Sequence, residues 1–171
     1  TVVRPKENCA GTTKGIQKID QWLKLDGGNF DIIHFNFGLH DLKRVKESGR
    51  NSNDPCDPPQ ADIEAYEKNL RHIVSRLKST GASLIFATTT PVPAGVKPHR
   101  DPDDPPRYNA VAKKVMKEND IVINDLYGGA LERIADLQQP ANVHFNAKGS
   151  QWLARHVTQH IRTAIRRRNA D

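Results

Sequence analysis

The sequence predicts an α/β fold: a parallel sheet with helices packed on both faces. Three observations carry that expectation. Short apolar runs alternate with stretches of helical periodicity in the order βαβαβαβ, and alternation of this kind builds parallel sheets through right-handed crossovers. The stretch Asp31–Leu42 starts apolar and aromatic, reaches Gly38, and turns at once to His40 and Asp41. Two long polar loops, Lys43–Gln60 and Thr89–Pro106, each follow a strand. In open α/β sheets ligands bind outside the carboxyl ends of the strands. Chemistry is therefore expected on the side that holds His40 and both loops.

Taken in order, Thr1–Arg4 reads as a strand and Pro5–Thr13 as a loop. A helix over Gly15–Leu25 would bury Ile16, Ile19, Trp22 and Leu23 on one face. Gly27-Gly28-Asn29 stops it, and the central strand runs from Phe30 to Phe37. The loop Lys43–Gln60 is too long for an ordinary connection, which marks a functional rim or disorder. From Ala61 the recurrence of Ile63, Tyr66, Leu70, Ile73, Val74 and Leu77 predicts a long helix, closed by Gly81. Ser83–Thr88 is a second buried strand, and the loop after it carries six prolines. A helix over Tyr108–Glu118, a short strand Ile121–Asn124 and a helix over Gly129–Leu137 follow. The last helix, from about Ala147 towards Arg168, is expected to bury Leu153, Val157, Ile161 and Ile165.

At 171 residues the chain suits one domain with one sizeable core. No apolar run is long enough to span a membrane. The net charge of +6 permits attraction to anionic partners. Arg162, Arg166, Arg167 and Arg168 nevertheless concentrate that charge in one terminal helix, where the macrodipole favours cations. No RNA-binding signature accompanies it, so a nucleic-acid partner is not expected. Cys9 and Cys56 could be paired or free, and oligomeric state is unread. The histidines His34, His40, His99 and His144 are scattered without a metal-ligand spacing. Neither metal nor cofactor is expected. Asn36 is taken as structural, and Asp125 as a helix cap.

Three segments gather at the ligand-facing edge: Asn8-Cys9-Ala10-Gly11-Thr12-Thr13, Gly38-Leu39-His40-Asp41, and Asn142-Val143-His144-Phe145-Asn146-Ala147-Lys148-Gly149. In this order they resemble blocks II, III and V of the SGNH (GDSL-type) serine hydrolases, a family of esterases and lipases. Thr90-Pro91-Val92-Pro93 and Tyr108-Asn109 also look like the family. The resemblance covers essentially the whole chain. It implies a three-layer α/β/α, flavodoxin-like fold and an ester hydrolase, with small acyl groups on carbohydrates as plausible substrates. It also makes a secreted or periplasmic setting plausible. By this resemblance Gly11 offers its N–H to the oxyanion hole and His144 is the general base. Asn8 and Asp41 are taken as substrate-binding positions, Asp41 chiefly holding its loop.

Three departures qualify the match. The Gly-Asp-Ser block that carries the nucleophile is absent. None of Ser48, Ser52, Ser75, Ser79, Ser83 or Ser150 sits between a strand and a helix as a nucleophile elbow would. The expectation is that the family's first strand, serine loop and first helix precede residue 1, so that 1–171 is one N-terminally incomplete domain. His40 stands where the family has Asn, keeping a side-chain donor while adding a titration near neutrality. Ala141 stands where the triad Asp should be, three residues before His144. A backbone carbonyl is then expected to orient His144, and Asn142 lies one position off for the task. A non-catalytic binding module on the same fold, for carbohydrate or another ligand, is the competing reading.

Overall fold

Parallel strands buried on both faces need residues that fill both sides of a pleat, and the chain supplies them in three places. A computed structural model describes residues 1–170. Its elements are α1 (Thr12–Trp22), a 3-10 turn (Leu25–Gly28), β1 (Ile32–Phe35), α2 (Ile63–Lys78), β2 (Ser83–Ala87), α3 (Asp104–Glu118), β3 (Val122–Asn124), α4 (Leu126–Leu131), α5 (Ile134–Leu137) and α6 (Ala147–Arg168). The sheet has the order β1-β2-β3, all parallel. Register sets Phe35 beside Phe86 and Ala87 beside Asn124. The alternation is α/β, as expected.

One face of the sheet carries the main core. Phe35 and Phe86 meet edge to face at 5.4 Å, beneath Leu70, Ile73, Val74 and Leu77 of α2. The α2 residues expected inward are buried from Tyr66 to Leu77 because they share one stripe of the helix. Asp62 caps α2, its carboxylate accepting from the Ala65 N–H at 2.8 Å. Helix α1 lies against α2. Gly15 permits that approach, since a Cβ there would meet Ile73 Cδ1 at 2.6 Å. Helix α6 covers the other face and touches all three strands.

Several sequence expectations need correction. Thr1–Arg4 is not a strand: it finds no neighbour to pair with, and Val2 is 96% exposed. Helix α1 starts at Thr12 rather than Gly15 and leaves Ile16 exposed. Helix α3 starts at Asp104, because Pro105 and Pro106 sit in its first turn, where their missing N–H groups cost nothing. The helix expected over Gly129–Leu137 is two shorter ones, α4 and α5. The apolar stripe of α6 is only half-covered: Leu153, Val157 and Ile161 are half-buried and Ile165 is exposed.

The loop Lys43–Gln60 is ordered by its own hydrogen bonds. Arg44 bridges to Pro59 and Val45 to Asn51. Its root is fastened to α3 by a buried Arg44–Asp104 ion pair at 3.0 Å. Both cysteines are free.

Candidate active site

The chain leaves β1 through Asn36-Phe37-Gly38. Asn36 is exposed rather than buried, and its Nδ2 donates to the Ala87 carbonyl at 2.7 Å, tying together the carboxyl ends of β1 and β2. The Phe37 carbonyl accepts from Tyr66 Oη at 2.9 Å and from Thr89 Oγ1 at 3.3 Å. Gly38 has φ +148, and a Cβ there would run into Thr89 Oγ1. Any other residue at 38 would force apart the two loops that flank the cleft.

Asp41 is 0% exposed. Its Oδ1 accepts from the Thr12 backbone N–H at 2.8 Å and from Thr12 Oγ1 at 2.6 Å, while Oδ2 is buried without a partner. These bonds fix the first turn of α1 to the loop after β1. Burial outweighs them and pushes the carboxyl up to about 6. Asp41 therefore presents no surface to substrate; of its two expected tasks, the geometry leaves the holding of its loop. Gly11 packs on that same carboxylate, where a Cβ would lie 2.8 Å from Oδ1. Its N–H is taken by no acceptor among the described residues.

The Leu39 carbonyl accepts from Arg100 Nε at 2.7 Å, which positions the His40 backbone. The His40 side chain is half-buried and its Nδ1 is enclosed without a partner. Burial first, then Lys43, Arg100, His144 and Lys14, push His40 below the ordinary histidine range. The titration expected near neutrality thus moves lower, which favours the neutral ring.

His144 is exposed on the turn before α6. Ala141 takes the left-handed conformation, φ +49, and reverses the chain so that Asn142 faces back along it. Asn142 Oδ1 then accepts from the His144 backbone N–H at 3.0 Å and lies 2.7 Å from His144 Nδ1. Because a backbone N–H can only donate, the shared atom is the amide oxygen, and Nδ1 must carry the ring proton. Nε2 keeps its lone pair free. Asn142, rather than a backbone carbonyl, thus holds the ring; the sequence offset alone could not reveal it, because the reversal at Ala141 is what aims its side chain. Gln138, 4% exposed, braces this turn by donating to the Pro91 carbonyl at 2.9 Å. Neither Gln138 nor Arg100 stood out in the sequence. Asp125 caps α4 as expected, accepting from the Gly128 N–H at 3.1 Å.

His40, His144, Asn142, Asn8 and Arg100 line one cleft of about 580 Å³. Asn8 is exposed at its rim, with Oδ1 accepting from the Ala10 N–H at 2.8 Å. Gly11 and Asp41 are not among the residues that line it. Two imidazole rings facing one cleft, one of them held through Nδ1 with Nε2 turned free, are an arrangement of the kind that acyl transfer uses.

The model of the GDSL-like lipase/acylhydrolase family matches residues 2–152. The chain belongs to that family. Among solved structures it is similar to an acetyl xylan esterase, with a TM-score of 0.70 at 14% identity over 91% of this chain and 78% of the other. A GDSL-like lipase from Bacteroides thetaiotaomicron gives 0.69 at 14% identity, over 90% and 72%. The acetylxylan esterase of Geobacillus stearothermophilus gives 0.68 at 18%, over 88% and 67%. At such identities the likeness shows the fold, which is that of the SGNH hydrolases. No curated protein matches the chain by sequence. Among the described residues no helix is long and apolar enough to cross a membrane.

Proposed function

We propose that this member of the GDSL-like family hydrolyses small acyl esters, with carbohydrate-borne acetyl groups as the favoured class. His144 acts as general base through Nε2, and the Gly11 N–H and the neutral His40 ring donate to the oxyanion. The nucleophilic serine comes from a strand-and-loop segment upstream of residue 1 that lies along the free side of β1. That side supports the placement: among the described residues β1 pairs with β2 alone, and an apolar groove of about 300 Å³ runs beside it, lined by Ile19, Trp22, Leu25, Ile33 and Phe35. In the reaction the serine oxygen bonds to the carbonyl carbon while its proton passes to Nε2. The tetrahedral oxyanion collapses, the alcohol leaves with that proton, and a water deprotonated by His144 releases the acid.

The observation that carries this reading is the Asn142 contact, which fixes the ring proton on Nδ1 and frees Nε2 within the cleft that also holds His40. Hydrolysis of 4-nitrophenyl acetate by the full-length protein tests it. His144→Ala should lower kcat/KM by about 10³-fold or more; equal rates would refute the role. Asn142 is neutral, so it orients the ring without stabilising an imidazolium as a carboxylate would. That one substitution also suits a binding module without catalysis. Carbohydrate binding by a full-length protein inert towards esters of several chain lengths would favour the module.

A further inference from the structure

Two arginines of this protein are nearly enclosed, and they are treated differently. Arg44 is matched by the Asp104 carboxylate at 3.0 Å, with side chains 11% and 6% exposed. Arg100 is 6% exposed, and no carboxylate among the described residues comes within ion-pair distance of it. Its Nε and Nη1 donate to the backbone carbonyls of Leu39 at 2.7 Å and Pro98 at 3.2 Å. Those bonds satisfy donors but leave the charge uncompensated, which is costly for a guanidinium withdrawn from water. Three of its five donors, one on Nη1 and two on Nη2, have no acceptor among the described residues.

The surroundings carry the same sign. Lys97 lines the same cleft, and Lys43, half-buried, stands close enough to Arg100 for the two charges to repel. Neither has a carboxylate partner among the described residues. Lys14 is neutralised by Glu7. Asp41 is the carboxylate that Lys43 senses, and it is sealed behind the loop. No Asp or Glu lines the cleft. A low-dielectric wall with unpaired cations focuses a positive potential into the opening.

We propose that this cleft selects esters whose alcohol part carries a carboxylate, such as an acylated acidic sugar, and that the Arg100 fork together with Lys97 receives it. The carboxylate supplies the counter-charge that the protein withholds, and the planar fork matches its two oxygens. The inference names a substrate class and so rests on the hydrolase reading. It concerns which ester is preferred rather than how it is cleaved.

The test compares isosteres differing in charge alone: 4-acetoxybenzoate and 4-acetoxybenzamide, each hydrolysed by the full-length protein. The benzoate should show a KM lower by about tenfold, with the gap shrinking in 0.5 M salt, on the order of the screening expected there. Lys97→Gln, at an exposed position, should cut that preference about threefold without loss of folding. Equal KM values at low salt would overturn the proposal. The products, 4-hydroxybenzoate and 4-hydroxybenzamide, are titrated in parallel, followed by the NMR shifts of His40 and His144. Tighter binding of the benzoate by about tenfold supports the proposal even if neither ester is cleaved, and the hydrolase reading alone then falls. Equal binding of the two overturns it whether or not hydrolysis occurs.

Discussion

The two loops that meet in the cleft are built in opposite ways. The loop after β1 is held by distant partners: Thr12 on Asp41, Tyr66 and Thr89 on the Phe37 carbonyl, Arg100 on the Leu39 carbonyl. All of those residues except Leu39 are buried. The turn that carries His144 is held mostly by itself: the Gln139 N–H donates to the His144 carbonyl at 3.0 Å, and Asn142 donates through Nδ2 to Gln139 Oε1 and accepts at Oδ1 from the His144 N–H. Its long-range brace is the Gln138–Pro91 bond. The His40 half of the cleft is thus fixed by folding, whereas the His144 half is fixed by local turn geometry. Folding and catalysis should respond to different substitutions.

The widest separation is expected at His144. His144→Ala should remove activity by about 10³-fold or more while changing unfolding free energy by no more than about 0.5 kcal/mol, since the side chain is exposed. Urea denaturation beside the esterase assay reads both. A fall in stability of several kcal/mol would mean that the turn is part of the folding framework.

The converse holds at Asp41. Asp41→Ala strands the Thr12 N–H and Oγ1 in a buried place and should cost about 2–4 kcal/mol. Asp41 also makes stability pH-dependent in a defined direction. Its folded value, about 6, lies above the unfolded carboxylate value near 3.8. Between those values the folded state binds more protons, so this contribution to stability falls as pH rises through the window and is fully present only below it. Asp41→Asn should abolish that slope, as shown by denaturation midpoints collected from pH 4 to 7.

Asn142→Ala lies between these extremes. Losing one orienting hydrogen bond, worth about 1 kcal/mol, should slow turnover roughly five- to tenfold with stability unchanged. A null effect on kcat would show that the ring needs no such support.

The mildest change is expected at His40. Its value is depressed, so its neutral form is favoured by folding and its contribution is lost as pH falls below the ordinary 6.5. His40→Asn keeps a donor and should leave the rate near pH 7.5 within about threefold, while the rate falls less steeply below pH 6.5 than in the parent, as read from paired pH–rate profiles. Identical profiles would count against a part for His40 in the pH dependence.

How much of this could be read in the sequence depended on whether the deciding contact was local. The α2 stripe and the runs of β1 and β2 were legible because burial writes a period into the chain. Thr1–Arg4 has strand-forming residues, yet strand formation needs a partner and propensity does not supply one. Prolines at 105 and 106 look like loop until one asks which helical N–H groups are dispensable. The motif positions of His40 and His144 pointed to a shared cleft. The Asn142–His144 contact, the sealed Asp41 carboxylate and the unpaired Arg100 each depend on how loops cross in space, and no spacing encodes that.

The free side of β1 has a consequence for colloidal behaviour. From Ile32 to Phe35 one side of β1 has no strand partner among the described residues and lies beside an apolar groove, the arrangement through which sheets of separate molecules join edge to edge. Whatever segment suits this edge within one molecule, the corresponding strand of a neighbour can compete for it. A solution of the chain with that edge bare should scatter more light as concentration rises, and anything that occupies the edge should restore solubility.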